Sequence, residues 1–224
     1  MSDEAWLSRW QDGRIGFHEA ATNQHLLTHW PALTQVSSAG VFVPLCGKSL
    51  DMLWLAARHT EVVGVELSPI AVRDFFAEAG LSPIVTEHGD LACWQAQNLY
   101  IYVGDFFVLS AQHLRGARFV YDRASLIALP ESIRPKYQRH LLELMPSDVL
   151  GLTVTVDYPQ SEMSGPPFAV SDAEIRELAG ACNMSIEAIA EHDVLAGAPK
   201  FRERGVTRMV ERVYRWQRDS EKAS

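Results

Sequence analysis

Cysteine is scarce in this chain. Cys46, Cys93 and Cys182 are widely spaced and odd in number, so they build neither a disulfide framework nor a four-ligand metal site. Long apolar runs are also missing. None approaches the ~20 residues that span a bilayer, and the opening MSDEAWLSRWQDGRIGFHEA has no apolar stretch suited to a signal peptide. Cytoplasmic residence, away from membranes, is the expectation. Positive charge is in deficit: 20 Lys and Arg against 28 Asp and Glu leave a net −8, a surface that repels phosphate backbones and disfavours nucleic acid as a partner. No Gly-x-Ser-x-Gly elbow is present, which leaves a serine hydrolase unsupported. The eight histidines form no convincing ligand set. His25 and His29 are four apart on an expected helix with no third ligand in sight, so no metal is expected.

What is present is enough apolar material for a sizeable core: 47% of 224 residues, most simply one domain over residues 1–224. Residues 1–38 read as an amphipathic helical lid carrying Trp6, Trp10, Phe17, Leu26, Leu27 and Trp30. Three tryptophans so close together belong against something, and the mouth of the main sheet is the expected place. Residues 39–217 read as an α/β core. Strand-like runs at Val41–Val43, Val62–Glu66, Leu99–Val103, Phe119–Tyr121 and Val149–Val156 alternate with helical patterns at Ser49–Arg58, Pro69–Ala79 and Pro130–Met145. Such alternation indicates a parallel sheet flanked by helices. Ser171 and Glu174 suggest a capping box opening a helix to about Ala181. Ser185–Ala190 and Arg208–Trp216 are further strand candidates. Two Pro/Gly-rich loops, Asp157–Phe168 and Val194–Gly205, are long enough to act as lids.

The richest stretch is VFVPLCGKSLDMLWLAARHTEVVGVE, residues 41–66. It reads as strand, tight turn, helix, strand and a terminal acid, one half of a nucleotide-type pocket. Glu66 falls nineteen residues after Gly47, close to the ~20-residue offset at which a carboxylate reaches both hydroxyls of a ribose. The alternative for Glu66 is an acid that merely initiates the next helix. The Gly-Lys-Ser step is not a P-loop, because Phe42 stands where that motif needs glycine. The dinucleotide glycines are absent too, and Leu45 and Cys46 obstruct the close backbone approach that a pyrophosphate needs. A ligand with adenosine but no phosphate has no such requirement. S-adenosylmethionine therefore fits better than NAD, although a nicotinamide-dependent oxidoreductase and a non-catalytic S-adenosylmethionine-binding protein stay open as alternatives.

Other candidates cluster at strand ends. Gly104-Asp105-Phe106 could accept from an adenine amino group and lie against its ring, or be an ordinary turn. Asp122-Arg123 could be a surface ion pair, or could place a guanidinium near the reacting centre. Trp6, Trp10 and Phe17 are core anchors, or an aromatic cover, or both.

WLSRWQDGRIGFHE, VFVPLCGKSLDMLWLA, VVGVELS, GDFF and VYDRASLIALP, in this order and at these spacings, resemble the thiopurine S-methyltransferases from about Trp6 to Tyr214. The resemblance implies a class I methyltransferase fold: a Rossmann-like, seven-stranded mixed β-sheet flanked by helices, with an N-terminal helical cap and a final antiparallel strand. It implies S-adenosyl-L-methionine as methyl donor, with contacts at Trp10, Leu45, Glu66, Asp105, Phe106 and Arg123, and Trp6 as an alternative to Trp10. Phe17 matches an acceptor-facing position, and Arg123 is the implied catalytic residue. A positive side chain near the acceptor falls somewhere in Lys200–Arg204. The implied acceptor is a small aromatic or heterocyclic thiol, or a selenium or tellurium analogue, and the implied state is a monomer. Displacement at the sulfonium methyl by a soft nucleophile asks mainly for alignment, with reacting atoms held ~3–3.5 Å apart.

Overall fold

The computed structural model describes residues 3–15, 18–34 and 38–219. These form two compact units, one of Met1–Tyr121 with Leu144–Pro146 and one of Asp122–Glu143 with Ser147–Ser224.

The first unit opens with helices α1 (Asp3–Gln11) and α2 (Gln24–Leu33). Strand β1 (Val41–Val43) then leads through a turn into α3 (Asp51–Ala56), β2 (Val62–Glu66) and α4 (Pro69–Glu78). Strands β3 (Ile84–His88), β4 (Leu91–Ala96), β5 (Leu99–Val103) and β6 (Phe119–Asp122) follow. β1 pairs in parallel with β2 and β6, and β2 in parallel with β5. Every residue of β1 and β2 is buried. Such central strands read as unbroken apolar runs because helices cover both faces.

The segment before residue 39 shares this unit with the strands. Trp30 is 1% exposed. Its indole N–H donates to His59 Nε2 at 2.8 Å, and His59 Nδ1 lies 2.8 Å from the Ala39 carbonyl. Both ring nitrogens are thus employed only if the imidazole is neutral, and burial accordingly holds His59 below the usual histidine range.

Among the described residues there are nine strands, two more than the resemblance implied. The additions are β3 and β4, an antiparallel pair turned at Gly89 and continued antiparallel onto β5. All five residues of β3 are exposed, including Ile84 and Val85. A strand with no buried side leaves no two-residue alternation to read.

The second unit holds α5 (Ser125–Ala128), α6 (Arg134–Leu144, whose last residue belongs to the first unit), β7 (Leu150–Asp157), α7 (Asp172–Ala181), β8 (Met184–Asp193), α8 (Pro199–Arg202) and β9 (Val210–Arg218). β9 lies antiparallel between β7 and β8, as a final antiparallel strand requires. The α7 cap is only half a box. Ser171 Oγ accepts from Glu174 N at 3.1 Å, but the Glu174 carboxylate turns to Arg134 Nη1 at 2.6 and 2.7 Å. Arg134 is 1% exposed, and so buried a guanidinium claims the carboxylate ahead of a helix end. No helix of the described residues is long and apolar enough to cross a membrane.

Candidate functional site

The turn after β1 is built around one carboxylate. Glu66 closes β2 and is 8% exposed. Its Oε2 accepts from Gly47 N at 2.9 Å and its Oε1 from Ser68 N at 2.8 Å. Burial pushes this carboxyl above the usual range, while the amides of Ser68, Gly47 and Leu67 pull it back. Each oxygen still has a lone pair to offer, since a carboxylate accepts at about four positions. The bland alternative, a helix-initiating acid, is half right: Ser68 is the residue that caps α4, accepting from Ala71 N at 3.3 Å, and Glu66 holds Ser68 in place.

The turn itself is tight without being glycine-rich. Leu45 has φ +46° and Gly47 φ +54°, a region that an L-residue such as Leu45 enters at a cost. Cys46 N donates to Val65 O at 2.9 Å, which lays the turn along β2. The Cys46 side chain points inward: a Cβ on Gly64 would come within 2.8 Å of its sulfur. Burial raises this thiol well above the ordinary range, so it is not a nucleophile. Lys48 pairs with Glu78 at the end of α4 at 2.6 Å, away from any phosphate role.

Of the two tryptophans, Trp10 is the one at the turn. It is 6% exposed, and a Cβ on Gly47 would sit 3.4 Å from its Cζ2. Trp6 is half-buried with the Arg9 guanidinium 5.5 Å from its ring centre. Phe17 lies outside the described residues.

β5 ends beside β2, with Glu66 opposite Val103 and Gly104 N donating to Glu66 O at 3.0 Å. Gly104 has φ +146°, where a side chain is strained, and a Cβ there would also crowd Leu91 at 2.5 Å and the Asp90 carbonyl at 3.2 Å. Asp105 is exposed and accepts from Phe107 N at 2.9 Å, capping a single 3-10 turn over Phe106–Val108. Phe106 is 4% exposed and stacks on Phe42, with centroids 6.4 Å apart and planes 16° apart. Its ring therefore props the loop from beneath. Glu66, Leu45, Trp10, Asp105 and Phe106 all lie in the first unit, at or beside the C-terminal ends of β1, β2 and β5.

In the second unit, Asp122 does not make the surface ion pair weighed above. It is 2% exposed, with Oδ1 accepting from Ser125 N at 2.9 Å and Oδ2 from the Tyr137 hydroxyl at 2.7 Å. Burial pushes both the carboxyl and the phenol upward. Arg123, next in the chain, is half-buried. The first expected lid meets Phe201 of the second and the residues just past the second loop's end. Glu162 accepts from Thr207 N and Oγ1, each at 2.8 Å, and Tyr158, Met163, Val206 and Met209 form a small core against Phe201. Lys200, Arg202 and Arg204 are exposed around it. A cavity of about 580 Å³ opens in this unit, lined by Arg134, Asp157, Tyr158, Phe168, Ser171 and Glu174 among others, none of them expected from the sequence to contact cofactor or acceptor. Among the described residues no group of three or more His, Cys, Asp or Glu could hold a metal.

The residues present fit an adenosine without phosphate. A buried acid with acceptor capacity stands at the end of β2, and the turn facing it carries Leu45 and Cys46 in place of a pyrophosphate cradle.

The profile of the Thiopurine S-methyltransferase (TPMT) family matches residues 1–219. The chain is 47% identical to a thiopurine S-methyltransferase of Pseudomonas fluorescens (strain Pf0-1) over 215 residues, covering 96% of this chain and 98% of that protein. It is 48% identical to that of Pseudomonas paraeruginosa (strain DSM 24068 / PA7) over 218 residues, covering 97% and 100%. Among solved structures it is similar to an S-adenosylmethionine-dependent methyltransferase of Anabaena variabilis, with TM-score 0.67, 11% identity and coverage of 97% and 95%. It is also similar to the Burkholderia thailandensis 1,6-didemethyltoxoflavin-N1-methyltransferase with S-adenosylhomocysteine, with TM-score 0.63, 14% identity and coverage of 97% and 87%. At such identities the structures show a shared fold alone.

Proposed function

The chain belongs to the thiopurine S-methyltransferase family and is an S-adenosylmethionine-dependent methyltransferase, and from that premise we propose an acceptor and a division of labour among its residues. The acceptor is the sulfur of a small aromatic or heterocyclic thiol such as a thiopurine, or a selenium or tellurium counterpart. The reaction runs in the cytoplasm, in a monomer, without a metal, and acts on neither nucleic acid nor membrane.

The observation that carries the reading is Glu66: a buried carboxylate at the end of β2, fixed through both oxygens by backbone amides. Its remaining lone pairs accept from the two ribose hydroxyls, as charge-assisted bonds that orient the sugar. S-adenosylmethionine, when bound, supplies the methyl group, the positive charge and the leaving group. Every other requirement falls to this chain. Asp105 accepts from the adenine amino group, and Phe106, locked on Phe42, fixes the height of the loop that carries it. Leu45 presents an apolar edge to the nucleoside, and Trp10 covers it and keeps water out. Arg123 stands by the acceptor and favours its thiolate, since a guanidinium stays charged and cannot act as a base. An aromatic thiol is partly ionised near neutral pH, so no general base is required.

The test is transfer of a radiolabelled methyl group from S-adenosylmethionine to an aromatic thiol such as 6-mercaptopurine. Labelled thioether supports the reading. Failure to label a panel of aromatic thiols and their selenium analogues, by protein that binds the cofactor, overturns it.

A further inference from the structure

Asp51 is a buried acid that the reaction described above does not use. It is 1% exposed and begins α3, directly after the turn of residues 44–50. Its Oδ1 accepts from the backbone N–H of Asn23 at 2.7 Å and its Oδ2 from the Tyr121 hydroxyl at 3.0 Å. Asn23 is the N-cap of α2, its side chain accepting from His25 N and Leu26 N. Tyr121 lies in β6. One carboxylate therefore joins the start of α2, the far end of the cofactor turn and the strand beside β1.

The same turn has a second point of attachment. Trp10, at the end of α1, rests on Gly47, four residues before Asp51, and Gly47 N is the amide held by Glu66. The N-terminal helices thus stand on the turn at two places: an apolar seat at Gly47 and a charge-assisted bond at Asp51. The bond at Asp51 is directional and shielded from water, so it fixes the start of α2 against the turn.

We propose that Asp51 is a positioning residue for cofactor binding: by holding Asn23 it keeps Trp10 seated on Gly47 beside Glu66. The proposal rests on the reading that the cofactor lies at Glu66. Tyr121 completes it by occupying the second oxygen, so that the buried carboxylate has a fixed orientation instead of rotating toward either donor.

The backbone N–H can be removed almost alone. Asn23 has φ −61°, which proline adopts without strain, so Asn23→Pro deletes the donor to Asp51. Asn23→Ala deletes only the side-chain cap and is the control. Binding of S-adenosylhomocysteine is measured by calorimetry at a temperature where all variants are folded. Asn23→Pro is expected to weaken binding about tenfold relative to Asn23→Ala, the lower range for one hydrogen bond to a charged group, and to do nothing further in a Trp10→Ala background. A purely structural bond would lower the melting temperature and leave the affinity of the folded protein unmoved. Equal affinities for Asn23→Pro and Asn23→Ala, or an effect that persists without Trp10, overturns the proposal. If Asn23→Pro does not fold, Asp51→Asn and Asp51→Ala decide the same point. Asn can accept from Asn23 N and donate to the Tyr121 oxygen, so it keeps the affinity. Ala loses it, and an Ala variant that binds like wild type sinks the idea. Failure of the wild type to bind S-adenosylhomocysteine is a separate result, which refutes the placement at Glu66 first.

Discussion

Gly47 and Glu66 are joined by a 2.9 Å hydrogen bond from the turn's backbone to the carboxylate at the end of β2. The acid proposed to bind the sugar is therefore also the clamp on the turn that faces it. In a glycine-rich loop the backbone amides are kept for a phosphate. Here one of them is committed to the protein's own anion, which is consistent with a ligand whose charged group is elsewhere.

Replacing Glu66 by Ala is expected to weaken S-adenosylmethionine binding by about 1.5–3 kcal/mol, the range for hydrogen bonds to a charged group. Glu66→Gln should fall between, because one of its two terminal atoms donates and meets an amide that also donates. Calorimetry reads both. An unchanged dissociation constant in Glu66→Ala removes Glu66 from the ribose.

Arg123→Ala should lower kcat/KM for thiols and shift its pH profile upward, since the acceptor then loses the charge that favours its thiolate. Arg123→Lys should restore part of the effect through charge alone. Steady-state kinetics between pH 6 and 9 tests this, and identical profiles for wild type and Arg123→Ala contradict it.

Stability should fall in mild acid through His59. Its folded pKa is lowered by burial, so the unfolded chain takes up the proton more readily. The contribution is complete above the ordinary value of about 6.5 and is lost as pH falls below it. Wild type should lose more melting temperature between pH 7.5 and 5.5 than His59→Gln does. Buried Glu66 and Asp122, both raised, act in the opposite sense, and comparing the two proteins cancels them.

Glu174→Gln should destabilise the protein strongly, up to about 3–5 kcal/mol, because it strands the Arg134 guanidinium, 1% exposed, without its counter-ion. Arg134 would keep its bonds to the Leu126 and Leu129 carbonyls, both 3.0 Å, and one uncharged amide oxygen in place of a carboxylate. Urea denaturation measures the change, and a loss under about 0.5 kcal/mol, typical of surface substitutions, would show that the pair is not energetically buried.

Much of this architecture is legible in the chain. Val41–Val43 and Val62–Glu66 announce themselves as buried parallel strands because both faces are apolar, and Glu66 stands out because it ends such a run. The hairpin of β3 and β4 has no such contrast on its outer strand, which is exposed throughout. Asp51 hides inside SLDMLWLA, where an acid reads as the polar face of a helix and only the fold reveals Asn23 and Tyr121 around it. Asp122 looks like the partner of its neighbour Arg123, yet Tyr137, fifteen residues on, lies beneath it. Phe106 reads as a ring for a ligand, and its stacking on Phe42 is a long-range pairing that no local pattern shows. The long loops read as lids, but Glu162 in the first and Thr207, just past the second, are 45 residues apart, and no local pattern foretells their pairing.

The most direct measurement is a crystal structure of the protein with S-adenosylhomocysteine. The account predicts both ribose hydroxyls within hydrogen-bonding distance of the Glu66 carboxylate, with Trp10 against the nucleoside and Gly47. A sugar bound elsewhere, or Glu66 oxygens in contact only with Gly47 and Ser68, would contradict it.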